Sequence, residues 1–143
     1  MIPLIKGSCH CKNITFEFDW NSDVDTIAAR ACSCTFCFKH GGVWTSSVTG
    51  KLNVNVKDRE LLKLYNFGTK TADFYVCKEC GIVPLSCCTI DGNLYAVVNI
   101  NTFEGIDPTL ITEIPVTLTE ETESSRLARR KKNWINNVQI NLN

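Results

Sequence analysis

The chain has 143 residues, a length that fits one domain able to bury a core without disulfide staples. Its 15 basic residues equal its 15 acidic residues, so the overall charge favours neither a nucleic-acid nor a membrane partner. The N-terminal residues show no signal-peptide pattern, and no apolar run is long enough to span a membrane. We therefore expect one cytoplasmic domain over residues 1–143.

Taken in chain order, most of the sequence shows the alternation of apolar and polar residues that is typical of half-buried strands. Residues 13–20 and 51–58 each place three apolar side chains on one face. Further strand-length runs, rich in β-branched and aromatic residues, follow at 41–48, 61–67, 72–77, 83–90 and 94–100. The sequence therefore predicts a mainly β fold.

Two helices are predicted beside these strands. A short one follows Cys34, and a second covers a basic C-terminal segment at about 123–135. Ser124 or Ser125 is the predicted N-cap of the second helix, because a hydroxyl there can accept a hydrogen bond from a free amide of the first turn.

Nine cysteines are the most informative feature of the composition. Their odd number, their grouping into CxC and CxxC pairs and the missing signal peptide all disfavour a disulfide scaffold. Thiols that close in sequence make poor disulfide partners for each other but good chelators. The pattern therefore indicates metal binding.

Two cysteine pairs far apart in the sequence each offer half of a metal site. In an extended strand Cys9 and Cys11 would face the same way, so both thiols can reach one ion. The "CKECG" stretch has the spacing of a metal knuckle, with Cys77 and Cys80 as ligands and Gly81 free to adopt a positive φ. We expect these four thiols to form one structural zinc site.

The stretch "CSCTFC" supplies three thiols from one local segment. Cys32 and Cys34 share a face by the strand rule, and Cys37 returns after one turn. Three protein ligands leave a fourth position for water or substrate, which distinguishes catalytic from structural zinc.

A rival grouping would build a zinc ribbon from two CxxC pairs, although the gap between them is about twice the usual ribbon spacing. Its ligands would be Cys34, Cys37, Cys77 and Cys80, with Cys9, Cys11 and Cys32 left over.

Together these motifs resemble the glutathione-dependent formaldehyde-activating enzyme (Gfa) family, which includes centromere protein V. The resemblance runs from Lys6 to Asp107 through "GSCHC", "CSCTFC", "CKECG" and "VNINTFEGID". It implies a zinc-stabilised β-tent of small antiparallel sheets, with a short helix after the CxCxxC motif and a C-terminal helix. It also implies two zinc ions per chain. Their ligands would be Cys9, Cys11, Cys77 and Cys80 for the structural zinc, and Cys32, Cys34 and Cys37 for the catalytic zinc.

The resemblance further implies a carbon–sulfur lyase activity. In the family's type reaction glutathione adds to formaldehyde to give S-(hydroxymethyl)glutathione. The expected partners are therefore a small-molecule thiol such as glutathione and an aldehyde. Lys39 and His40 are the nearest cations in sequence for holding an anionic thiol. His40 is alternatively a fourth ligand, a proton shuttle or an ordinary loop histidine.

Two other classes of function stay open at this stage. The protein could be a purely structural zinc protein whose second site is closed by another ligand. The basic run could instead make it a nucleic-acid or protein-binding module, although a solvated helix with a favourable dipole explains the same run. The basic side chains concerned are Arg126, Arg129, Arg130, Lys131 and Lys132.

Three remaining residues receive ordinary structural interpretations. His10 lies between two predicted ligands and would point to the opposite face of the strand, so we expect a surface group. Cys87 and Cys88 are adjacent and cannot face the same way in a strand, so we expect them to pack in the interior.

Overall fold

Two β-sheets pack face to face in the computed structural model, which describes residues 2–143. Met1 of the predicted domain lies outside the described residues. The strands are β1 (Ile5–Ser8), β2 (Ile14–Asp19), β3 (Ile27–Cys32), β4 (Val43–Thr45), β5 (Lys51–Val56), β6 (Leu62–Tyr65), β7 (Asp73–Cys77), β8 (Leu85–Ile90), β9 (Asn93–Asn99), β10 (Phe103–Glu104), β11 (Ile111–Val116) and β12 (Asn137–Leu142). The α-helices are α1 (Thr35–His40) and α2 (Glu123–Asn133), and three short 3₁₀-helices lie at Arg59–Leu61, Ile100–Thr102 and Pro108–Leu110.

Within residues 2–143 the smaller sheet has five strands in the order β10-β1-β2-β5-β12, and the larger has seven in the order β11-β3-β4-β9-β8-β7-β6. Most neighbours are antiparallel, but β11 runs parallel to β3 and β12 runs parallel to β5. The prediction of a mainly β fold with two helices is confirmed. Neither helix of the described chain is long and apolar enough to cross a membrane.

The main core fills the space between the two sheets. On β2 and β5 the alternating side chains predicted from the sequence are buried and face this space. The larger sheet contributes Leu85, Ala96 and Val98. Fully burying side chains of this size stabilises the fold by roughly 2 kcal/mol each.

A second core covers the other face of the larger sheet. On β9, Ala96 and Val98 face the main core, whereas Tyr95 and Val97 face this second cluster. Trp134, at the end of α2, packs into the same cluster. The central strands of the larger sheet are therefore buried on both faces, and α2 lies over the outer one.

Helix α2 begins two or three residues earlier than the predicted caps require. Thr122 is the N-cap, and its hydroxyl oxygen accepts a hydrogen bond of 3.2 Å from the backbone amide of Ser125. The prediction of Ser124 or Ser125 was wrong because Thr122 is the residue whose side chain reaches the third amide of the helix.

Gly7 is required by the packing of the smaller sheet. It lies opposite Phe16 across β1 and β2, and a Cβ at position 7 would overlap the buried Phe16 ring.

We expect Gly7→Ala to lower the free energy of unfolding by about 2 kcal/mol, because the ring has no room to move. Urea denaturation of the wild type and the variant measures this change in the free energy of unfolding. Lys6→Ala on the exposed face is the control, with a change below about 0.5 kcal/mol; equal stability of the two variants would contradict the packing argument.

Candidate metal centres and pocket

The first cysteine pair lies in a turn between β1 and β2. Strand β1 ends at Ser8, and the chain then turns through Lys12, which has a positive φ of 66°. The turn brings the Sγ atoms of Cys9 and Cys11 to 3.8 Å. The prediction that a strand aligns these two thiols was wrong, because the ladder ends before Cys9; the turn brings them together instead.

The second pair lies where β7 ends. The amide of Gly81 donates to the carbonyl of Cys77 at 2.8 Å, and Gly81 has a φ of 79°. The tight turn predicted from "CKECG" is therefore confirmed. It places the Sγ of Cys77 3.5 Å from that of Cys11.

The four thiols of these two turns fit a tetrahedral metal ion. All four Sγ atoms lie within 4.8 Å of one another. In a four-thiolate zinc site with Zn–S bonds of about 2.3 Å, neighbouring sulfurs are about 3.8 Å apart. The grouping of Cys9, Cys11, Cys77 and Cys80 agrees with the predicted structural site and not with the rival ribbon. His10 is exposed, as expected.

The electrostatics of this cluster favour a metal-binding thiolate at neutral pH. Burial raises the pKa of Cys9 to about 12. Burial also acts against ionisation of Cys80, but the amides of Cys11 and Ile82 and the neighbouring thiols lower the pKa of Cys80 to about 6. Cys80 is thus the thiol of this group that most readily begins coordination, and an ion would remove the remaining protons.

The second cluster contains three thiols around the start of α1. Cys32 is the last residue of β3, Cys34 is the N-cap of α1, and Cys37 lies inside that helix. The Sγ of Cys34 accepts a hydrogen bond of 3.4 Å from the amide of Cys37. The strand rule thus applies to Cys32 but not to Cys34, which lies beyond the end of the strand. All three Sγ atoms lie within 4.8 Å of one another.

Two thiols of this cluster, Cys32 and Cys37, have pKa values shifted in opposite directions. A hydrogen bond from Cys37 lowers the pKa of Cys32 to about 5, and the same interaction raises the pKa of Cys37. The indole Nε1 of Trp44 donates to the Sγ of Cys37 at 3.3 Å. Cys32 is thus the thiol of this pair that loses its proton more readily, and the indole of Trp44 fixes the neighbouring Cys37 at the wall of the pocket.

The sequence suggested Lys39 and His40 as cations that hold an anionic thiol, but neither lies at the pocket. Lys39 is exposed, and the His40 ring packs against Phe36 with 4.3 Å between centroids. Burial lowers the pKa of His40. Among residues 2–143, the metal-ligand group around Cys34 does not include His40, and neither residue lines the pocket.

A pocket of about 270 Å³ opens above the three-thiol cluster. Its lining combines the three cysteines with aromatic rings, the 67–72 loop and a basic wall. The aromatic residues are Trp44, Phe67, Phe74 and Trp134. We call the basic residues the arginine wall: Arg30 from β3 and Arg126, Arg129 and Arg130 from α2.

The arginine wall was missed in the sequence, although a signal was present. The three arginines of α2 have the i, i+3, i+4 spacing that places side chains on one helix face. That face points into the pocket, so the helix is not simply solvated. Lys131 and Lys132 are exposed.

Cys87 and Cys88 lie outside both thiol clusters. Both are buried on β8, and they face opposite sides of the larger sheet, Cys87 in the main core and Cys88 in the second. The expected packing role agrees with these positions.

The mainly β fold, a four-thiol cluster and a three-thiol cluster that opens into a pocket define an enzyme-like domain with two thiol groups that could hold metal ions. A family model described as "Glutathione-dependent formaldehyde-activating enzyme" matches residues 4–113, and the chain belongs to this family. A crystal structure of a Rhodobacter sphaeroides protein from a structural genomics programme is 30% identical. That match covers 79% of this chain and 99% of the other, with a TM-score of 0.55. No curated protein matches the chain.

We expect native mass spectrometry of reduced protein with added zinc to show two zinc ions, and only one in Cys11→Ser. Loss of the four-thiol site should also lower the stability by about 3 kcal/mol or more, which corresponds to a fall in Tm of roughly 10 °C. Cys87→Ala is the matched control and should keep both ions. Two zinc ions in Cys11→Ser would contradict the four-thiol assignment.

Proposed function

We propose that the protein is a zinc-dependent carbon–sulfur lyase that joins a small thiol to an aldehyde and cleaves the same adduct, in the manner of an S-(hydroxymethyl)glutathione synthase. One observation carries the proposal: three clustered thiols lie at a pocket wall, and the described residues 2–143 offer no fourth ligand to their group. A closed structural site would need that fourth ligand.

Cys32, Cys34 and Cys37 would hold the catalytic zinc, and Cys9, Cys11, Cys77 and Cys80 the structural zinc. When bound at the three-thiol cluster, zinc supplies a Lewis-acidic open position at which a thiol loses its proton near neutral pH or an aldehyde oxygen is polarised.

The reaction itself requires no oxidant or reductant. In the forward direction the substrate sulfur forms a bond to the aldehyde carbon, and the thiol proton ends on the former carbonyl oxygen. In reverse, that proton returns to sulfur as the carbon–sulfur bond breaks. The protein therefore has to hold two small molecules together and control one proton.

The pocket residues suit this task. Trp44 fixes Cys37 through its indole hydrogen bond and presents its ring to the pocket. Phe67, Phe74 and Trp134 add apolar lining, which excludes water from the reacting atoms. Bringing both reactants into a site of this size replaces a bimolecular encounter by a positioned one.

We expect Cys34→Ser to lower the catalysed exchange between formaldehyde, glutathione and their adduct by at least about 100-fold, because one of the three ligands is lost. Two-dimensional ¹³C exchange spectroscopy measures this rate against the uncatalysed background. Cys87→Ala is the control and should retain the wild-type rate.

X-ray absorption provides the independent check. Three sulfurs and one lighter atom at the zinc of Cys11→Ser protein would support an open site, because that variant lacks the four-thiol site. Four sulfurs at the zinc of Cys11→Ser would contradict an open site. Unchanged turnover in Cys34→Ser, for every thiol and aldehyde tried, would contradict the catalytic role, and either result would favour a structural zinc protein.

A further inference from the structure

The arginine wall concentrates positive charge in a small space. Arg126, Arg129 and Arg130 project from one face of α2, and Arg30 approaches from β3. Arg130 is only 8% exposed. No aspartate or glutamate within residues 2–143 lines this pocket. Four guanidinium groups therefore border one cavity of about 270 Å³ without an acidic side chain among its walls.

Internal contacts hold these arginines in place but neutralise only part of their charge. Glu121 accepts two hydrogen bonds from Arg129, at 2.8 and 2.9 Å. Arg126 donates to the carbonyl of Leu118 at 2.8 Å, and its Nε lies 3.5 Å from the Glu121 carboxylate. The Arg130 guanidinium donates to the hydroxyl of Thr71 at 2.7 Å and lies over the Trp134 ring. One carboxylate thus serves two of the four arginines, whereas the partners named for Arg130 carry no formal charge.

Two polar groups of the pocket residues are buried without a hydrogen-bond partner or an ion pair in the part of the chain that the structure describes. They are the Nε of Arg130 and the Oγ of Ser86. Leaving a buried donor unpaired is costly, and more so when the donor is charged. Their presence in one pocket indicates a ligand that brings acceptor oxygens.

The charges also act on one another. Burial lowers the pKa of Arg130, and the nearby charges of Arg129 and Arg126 lower it further, although Cys88 acts in the opposite direction. Arginine stays protonated at neutral pH even so, which means that the fold holds like charges together at a cost. A bound anion relieves this repulsion.

Resting on the proposed function, we infer that the substrate thiol carries a carboxylate, which the arginine wall binds while the sulfur reaches the three-thiol cluster. Guanidinium groups recognise carboxylates through paired, charge-assisted hydrogen bonds. The carboxylate takes no part in the bond changes.

The size of the pocket narrows the class of thiol. Its volume of about 270 Å³ is near the lower end of the roughly 300–1,000 Å³ of pockets for drug-sized ligands. The arginine wall and the three-thiol cluster border this one cavity, so we infer a thiol whose carboxylate lies only a few bonds from its sulfur, as in a short mercapto carboxylic acid. Helix α2 lies beyond residue 113, where the family match ends, so three of the four wall arginines come from a segment outside that match.

The kinetic test compares 3-mercaptopropionate with its neutral analogue 3-mercaptopropionamide, each with formaldehyde. We expect the wild type to favour the acid by about ten-fold or more in kcat/KM, and Arg126→Gln to lose that preference because its kcat/KM falls more for the acid than for the amide. Lys132→Gln, an exposed cation on the same helix, is the matched control and should keep it. Arg30→Gln serves as a second variant from another element if Arg126→Gln does not fold, with zinc content as the check.

A binding measurement separates this inference from the proposed function. Propionate added to ¹⁵N-labelled zinc-loaded protein should shift the Nε–Hε signals of the wall arginines, whereas propionamide should not. Shifts without turnover of any thiol would support the arginine wall and overturn the lyase. Turnover with equal use of acid and amide, and no shifts, would keep the lyase and overturn the carboxylate site. The carboxylate site would also be overturned if the wild type used glutathione faster than 3-mercaptopropionate and Arg126→Gln used glutathione as fast as the wild type.

Discussion

The rest of the structure depends on the meeting of two turns that are 66 residues apart in sequence. One follows the first strand of the five-stranded sheet, and the other follows β7 of the seven-stranded sheet. Cys9 and Cys77 are buried in the main core itself. An ion held by both turns would therefore join the two sheets at the edge of their shared interior, and would offset the chain entropy lost in closing so long a loop.

The packing of the two sheets against each other also determines where the pocket lies. Because the two sheets pack through one face of β9, its other face is left for the second cluster, where Trp44, Cys37 and Trp134 lie. The three-thiol segment joins β3 to α1 at the margin of that cluster. The two groups of thiols are thus on different sides of the larger sheet, one against the main core and one against the pocket.

Local chemistry could be predicted from the sequence far better than long-range pairing. The thiol groups and the strands of the main core follow from short spacings and two-residue periodicity. Strands β11 and β12 gave no such signal, because most of their side chains are exposed or half-buried, and Pro115 argues against a strand unless it lies at an edge. The wall on α2 was misread because charges at helical spacing are usually solvated, and only the approach of β3 and of residues 67–72 encloses them.

The position of α2 in the chain has a further consequence. The helix enters from β11, which pairs with β3, and leaves through Ile135, which bridges to Ala96, before β12 joins the smaller sheet. Both ends of the helix are thus fastened to the framework, while none of the clustered thiols lies within it. Three of the four wall arginines therefore lie in a different stretch of sequence from the thiols, and Arg30 alone is close to one of them in the chain. Substitutions along α2 can alter the basic side of the pocket without replacing any clustered thiol.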